Sequence, residues 1–222
     1  MMRHGKHTAR ITNEEERKAR LLSAWRNFPN SMPFGAICLL ALFFISLPFL
    51  TGLLPIVRFT QEQIDVQVGT DLVQVTGFYR YRNPVPLPIT QGLSVPLPAS
   101  DKESTPINVS VTQLYPTQKP IPLRFLLGRY RCNLVFAAGE EIVLRVTYEQ
   151  YAPTRQARYI LTTTQPWRRP LHYGLYRLFP QKVAITESNY PLKALSLGVV
   201  GFQRNDFMPP NDWQFAWEVL PQ

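Results

Sequence analysis

The sequence predicts a mainly β protein: an antiparallel β-sandwich held behind a single N-terminal transmembrane helix. Three observations lead there. Phe34–Val57 is a run of 24 residues without a charge, the chain after Arg58 is a series of short alternating segments broken by Pro, Gly, Asn and Asp, and no amphipathic helical pattern follows Val57. The chain divides accordingly into a basic segment at 1–31, a membrane span at 32–57 and an outer domain at 58–222.

The basic segment begins without a packing pattern, and its first helical signal is Thr12-Asn13-Glu14-Glu15, a capping box in which a hydroxyl accepts an orphan amide and a carboxylate three residues on answers it. The helix expected from there ends before Pro29. It sets Leu21, Leu22, Trp25 and Phe28 on one side, close in sequence to Arg17, Lys18 and Arg20, as in a helix lying at a lipid surface.

Phe34–Val57 follows. Fifteen of its positions are Leu, Ile, Phe or Val, and about 36 Å of helix crosses a hydrocarbon core of about 30 Å with some tilt. Pro48 bends such a helix without forbidding it. Seven basic residues precede the run and Arg58 alone follows closely, which keeps the N-terminus in the cytoplasm and the outer domain on the far side. The apolar run is too long for a cleaved signal peptide and lacks a small-residue cleavage site, so it reads as an uncleaved signal-anchor. With no disulfide expected in a domain facing outward, the setting is a bacterial inner membrane and periplasm.

In the outer domain the expected strands are Gln63–Val68, Leu72–Tyr81, Gly92–Pro96, Ile107–Tyr115, Pro122–Leu127, Arg129–Phe136, Glu141–Tyr151, Ala157–Thr163, Gly174–Phe179, Val183–Thr186, Gly198–Gln203 and Trp213–Val219. Glu141–Tyr151 shows the alternation most clearly, with Ile142, Leu144, Val146 and Tyr148 on one face. Twenty-one prolines suit extended connections between sheets, and parallel βαβ units lack their crossover helices.

Charge and chemistry narrow the functional classes. The net charge of +9 is spread along the chain instead of being gathered on one helix or face, which argues against a nucleic-acid binder. Two cysteines lie far apart, Cys38 in the span and Cys132 in a strand, and no clustered ligands call for a metal or cofactor. His172 is the outer domain's only histidine, and no nucleophile elbow accompanies it. The most distinctive stretch holds Arg155, Arg158, Trp167, Arg168, Arg169, His172 and Arg177, where guanidinium forks beside aromatic faces form a possible ligand or partner patch. The bland alternative is arginine stems covering the wet face of a sheet. Trp213, Phe215 and Trp217 alternate onto one face, a spacing that core packing explains and a sugar-stacking strip would share.

The expected role is therefore a non-catalytic accessory or scaffold subunit, anchored in the lipid bilayer and presenting its β domain to protein partners. A glycan- or cell-wall-binding module is the first alternative, and an envelope hydrolase centred on His172 the second.

Overall fold

The computed structural model describes residues 34–50, 55–95, 97, 105–126 and 129–221. The basic segment expected at 1–31, with its capping box, lies outside the described residues. Two units emerge, one up to Leu53 and one from Leu54 onward.

In the first unit, helix α1 spans Phe34–Leu50, and its 17 residues include no charged side chain. The expected span was longer, and residues 51–54 lie outside the described ones. Among the described residues no helix is long and apolar enough to cross a membrane. Large apolar side chains of α1, Ile37, Leu39, Leu40, Leu42, Phe43 and Phe44, are 44–69% exposed.

The second unit is mainly β. In chain order its strands are β1 (Arg58–Val68), β2 (Leu72–Arg82), β3 (Ile89–Ser94), β4 (Ile107–Tyr115), β5 (Lys119–Pro120), β6 (Arg124–Leu126), β7 (Arg129–Phe136), β8 (Glu141–Tyr151), β9 (Gln156–Tyr159), β10 (Leu171–Pro180), β11 (Val183–Ser188), β12 (Lys193–Ser196), β13 (Val199–Phe207) and β14 (Trp213–Val219). Eight of them form one sheet in the order β12-β13-β10-β1-β2-β8-β4-β5, and two three-stranded sheets, β11-β14-β9 and β3-β7-β6, complete the set. Buried side chains of all three sheets belong to a single core.

The alternation that marks β8 in the sequence is the burial pattern in the fold: Ile142, Leu144, Val146 and Tyr148 are buried, and the residues between them are only partly covered. β2 pairs with β8 along its whole length, Leu72 opposite Tyr151 and Arg82 opposite Glu141, so a one-residue slip would expose the core face of both strands. Trp213, Phe215 and Trp217 of β14 are buried and belong to the core; a sugar-stacking strip on their side chains is ruled out by that burial.

Three sequence expectations are corrected. The large sheet is not antiparallel throughout, because β10 runs parallel to β1, from Gln61 opposite Tyr173 to Val68 opposite Pro180. β10 returns to the large sheet after β9 and a 3-10 turn at Thr162–Trp167, and it enters alongside β1 in the same direction. The expected strand Ala157–Thr163 ends early at Tyr159, since Asp212 accepts hydrogen bonds from the amide and the hydroxyl of Thr162 at 3.1 and 2.7 Å and starts that turn. His172 and Tyr173, which lie before the expected strand Gly174–Phe179, belong to β10.

β10 is locked between its neighbours. Arg177 meets Asp65 across the parallel pair in a two-pronged contact, Nε to Oδ1 and Nη2 to Oδ2, both 2.7 Å. On the other side, Arg177 lies opposite Gly201 of β13, where an added Cβ would sit 2.1 Å from the Tyr176 carbonyl oxygen and 3.0 Å from the Arg177 Cα. Because those atoms are backbone, only a shift of the strands could make room. Gly201→Ala is therefore expected to cost about 1–3 kcal/mol in denaturant unfolding. The control Gly92→Ala, whose new Cβ would come no nearer than 3.5 Å to Asn133, should stay within about 0.5 kcal/mol of the parent.

Candidate functional site

β1 alternates strictly from Glu62 onward, and Ile64, Val66 and Val68 face the core. Glu62 is in phase with them. A bulge between Phe59 and Gln61 lets Phe59 and Glu62 both point inward, which leaves a carboxyl group 1% exposed in the centre of an apolar core. Burying such a group is costly unless hydrogen bonds satisfy it, and two tyrosines do so. The Tyr176 hydroxyl donates to Oε2 at 2.8 Å and the Tyr159 hydroxyl to Oε1 at 3.3 Å, while Tyr79 and Tyr159 share a hydroxyl–hydroxyl hydrogen bond of 2.5 Å.

Glycines position two of these tyrosines. On β2 the order is Gly77-Phe78-Tyr79, and on β10 it is Gly174-Leu175-Tyr176, so each tyrosine shares the core face with a glycine two residues earlier. Glu62 lies between the two motifs, opposite Tyr79 on one side and Gly174 on the other. A Cβ on Gly77 would fall 2.4 Å from the Tyr79 oxygen, and one on Gly174 would fall 2.8 Å from the Tyr176 oxygen. Each ring thus lies over the bare backbone of its own strand, an aromatic filling the space that a side chain would otherwise take. Tyr159 reaches the cluster from β9 of the facing sheet, so the cluster ties two layers together.

Burial raises the proton affinity of Glu62 to a pKa of about 7, with the hydrogen bonds from Tyr176 and Tyr159 pulling the other way. Burial, aided by the nearby Glu62 charge, also holds the hydroxyls of Tyr79, Tyr148 and Tyr176 well above the ordinary tyrosine range. A protonated Glu62 can donate to Tyr159, which can in turn donate to Tyr79. An ionised Glu62 accepts from both Tyr159 and Tyr176. The group is therefore a proton store enclosed by phenols, and its covered position keeps large substrates from its carboxyl.

The seven residues of the arginine–aromatic stretch lie on β9, the 3-10 turn, β10 and the segments beside them. Arg155 and Arg158 are exposed on or beside β9, and Arg158 lies 3.9 Å from Asp212. Trp167 packs against Phe59 and Tyr81 with ring centroids 5.9 and 5.5 Å away, as part of the core wall. Arg168 and Arg169 follow the 3-10 turn and are exposed, with Arg168 in the left-handed conformation that closes the turn. His172 is exposed at the start of β10, whereas Arg177, further along the strand, is held by Asp65. Among the described residues no group of His, Cys, Asp and Glu is placed to hold a metal ion.

A second feature lies on the outer face of the large sheet. Two neighbouring rows cross β10, β1, β2 and β8, and an open cleft of about 270 Å³ between them is lined by Gln61, Glu62, Gln63, Phe78, Tyr79, Arg80, Val143 and Tyr173. Arg80 also contacts Glu141 at 3.0 Å.

No family model and no curated protein matches the chain. Among solved structures it is similar to a candidate nutrient binding protein from Legionella pneumophila, at 12% identity and a TM-score of 0.57, covering 73% of this chain and 67% of that one. The resemblance is one of fold. An M1 zinc metallopeptidase from Deinococcus radiodurans also aligns, at 10% identity over 73% of this chain and 42% of its own, but its TM-score of 0.39 carries no argument.

The Glu62 cluster was within reach of the sequence. Extending the alternation of Ile64, Val66 and Val68 back by one step places a carboxylate on an apolar face, and the repeated Gly-x-Tyr spacing marks its partners. An expected strand that began at Gln63 left it out.

The raised pKa fixes a pH dependence. An unfolded glutamate releases its proton near 4.5, whereas folded Glu62 keeps it to about 7, so the contribution to stability is fully present below 4.5 and is lost as pH rises through 7. The loss amounts to roughly 3 kcal/mol. Glu62→Gln should flatten this part of the profile, matching the parent near pH 5 and exceeding it at pH 8, as denaturant titrations at the two pH values would record.

Proposed function

We propose that this protein is a non-catalytic accessory or scaffold subunit, anchored in the inner membrane by the segment around α1, with its cytoplasmic N-terminus opposite a β-sandwich that engages protein partners in the periplasm. The observation that carries the reading is the character of α1. A helix apolar on every side belongs either in a large protein core or in lipid, and large apolar side chains of α1 are exposed. The uncharged sequence continues to Val57, and the flanking basic residues are concentrated before it.

The non-catalytic part of the reading rests on how the candidate groups are placed. The carboxyl with the strongly shifted proton affinity is enclosed, the Cys132 thiol is buried and pushed up to about 11, and the exposed His172 imidazole has no hydrogen-bond partner among the described residues. A similar fold in a candidate nutrient binding protein is compatible with a binding role.

A second reading, glycan binding, is favoured by one observation. The open cleft joins two aromatic side chains, Phe78 and Tyr173, with the amides of Gln61 and Gln63 and the guanidinium of Arg80, a combination suited to stacking and hydrogen bonding a sugar that bears an acidic group. It moves that role away from the tryptophans of β14.

Two measurements separate the readings. Affinity purification in mild detergent should recover other membrane or envelope proteins in fixed ratio with this chain, and recovery of this chain alone would overturn the scaffold reading. For the cleft, NMR titration with an acidic oligosaccharide should perturb the rows around Tyr173, and Tyr173→Ala should weaken binding at least about tenfold; an unchanged spectrum removes the glycan reading.

A further inference from the structure

We infer that the β6–β7 hairpin is a contact site for the surface of an anionic phospholipid bilayer. β6 and β7 pair as Arg124 with Arg131, Phe125 with Tyr130, and Leu126 with Arg129. Cys132, Leu134 and Phe136 of β7 point into the core, so the alternate positions Arg129, Arg131 and Val135 face outward, and the pairing brings Arg124 and Leu126 onto the same outer face. On the other face Phe125 rests edge-on against Tyr130 at 5.1 Å.

Exposure and charge combine here. Phe125, Leu126 and Val135 are 66%, 53% and 68% exposed, and all three arginines are exposed without an ion-pair partner among the described residues. From Ser104 to Gly139 the sequence contains no Asp or Glu while it includes Lys119, Arg124, Arg129 and Arg131. Guanidinium groups beside the exposed Leu126 and Val135 on one face match a surface of phosphates over hydrocarbon, where long basic stems let the charge stay at headgroup level as the apolar tips dip below it. A protein partner fits less well, since a specific interface takes roughly 800 Å² from each side and β6 pairs with β7 over three positions.

The inference deepens the membrane reading above but does not need α1 to span, and the test separates the two. The full-length chain is reconstituted into vesicles of phosphatidylcholine alone or with phosphatidylglycerol, carrying an environment-sensitive fluorophore at one cysteine. Native Cys38 reports on α1, and Leu126→Cys in a Cys38→Ser background reports on the hairpin. Cys132 is buried, and its raised thiol pKa keeps it largely unlabelled at neutral pH.

The expected result is a blue shift with a gain of intensity at position 126 in anionic vesicles only, reversed by about 0.5 M salt. Arg124→Gln, Arg129→Gln and Arg131→Gln should each lower the membrane-contacting fraction roughly fivefold, which keeps the test informative if a combined charge reversal fails to fold. A water-like signal at 126 in anionic vesicles overturns the hairpin contact, even with an apolar signal at 38. An equal blue shift in neutral and anionic vesicles also overturns it, because the contact would then not depend on anionic lipid. A water-like signal at 38 defeats the anchor while leaving the lipid-selective signal at 126 as support for the hairpin.

Discussion

The β unit is organised around the burial of one carboxyl group. Glu62 projects into apolar surroundings from the central part of the large sheet, where water cannot reach it, and the fold surrounds it with hydroxyls. Several otherwise separate features follow from that need. Gly77 and Gly174 leave space for tyrosine rings to lie flat along their strands, the bulge in β1 sets the phase that turns Glu62 inward, and β9 brings Tyr159 across from the facing sheet. A buried polar network of this kind is demanding, because each member depends on the positions of the others, and it favours one alignment of β1, β2 and β10 over its neighbours. The parallel pairing of β1 with β10 is the alignment that places Gly174 beside Glu62.

Much of this fold was legible before any coordinates. Strands with one wet face, such as β2 and β8, carry their alternation openly, and β8 and β14 occur at the expected boundaries. Elsewhere the information was not local. β12 has no buried residue and so no pattern to detect. The turn at Thr162 depends on Asp212, far along the chain, and the direction in which β10 enters the sheet is decided by where the chain has travelled between them rather than by its own residues. Trp167 illustrates the limit for function: its neighbours Arg168 and Arg169 suggested a binding patch, yet its ring covers Phe59 and Tyr81 as part of the core wall.

The candidate site followed the same division. The titratable cluster could be inferred from a phase and a spacing, whereas the outer cleft could not, because its lining comes from four strands whose adjacency includes the parallel pair. Side-chain composition supplied the participants, and topology supplied their company. For the functional proposals this places more weight on surfaces assembled by the large sheet and by the β6–β7 hairpin than on the arginine-rich segment taken as a linear motif.

The pairing of β1 and β10 also bears on how the domain is made. Asp65 and Arg177 are 112 residues apart, so during synthesis the edge of β1 destined for β10 waits, with unmet amides and carbonyls, until most of the chain has emerged. Contacts of such long range delay folding and lengthen the time spent incomplete. While still unfinished, this domain has an interval in which a chaperone, or a strand from another molecule, can occupy the vacant place.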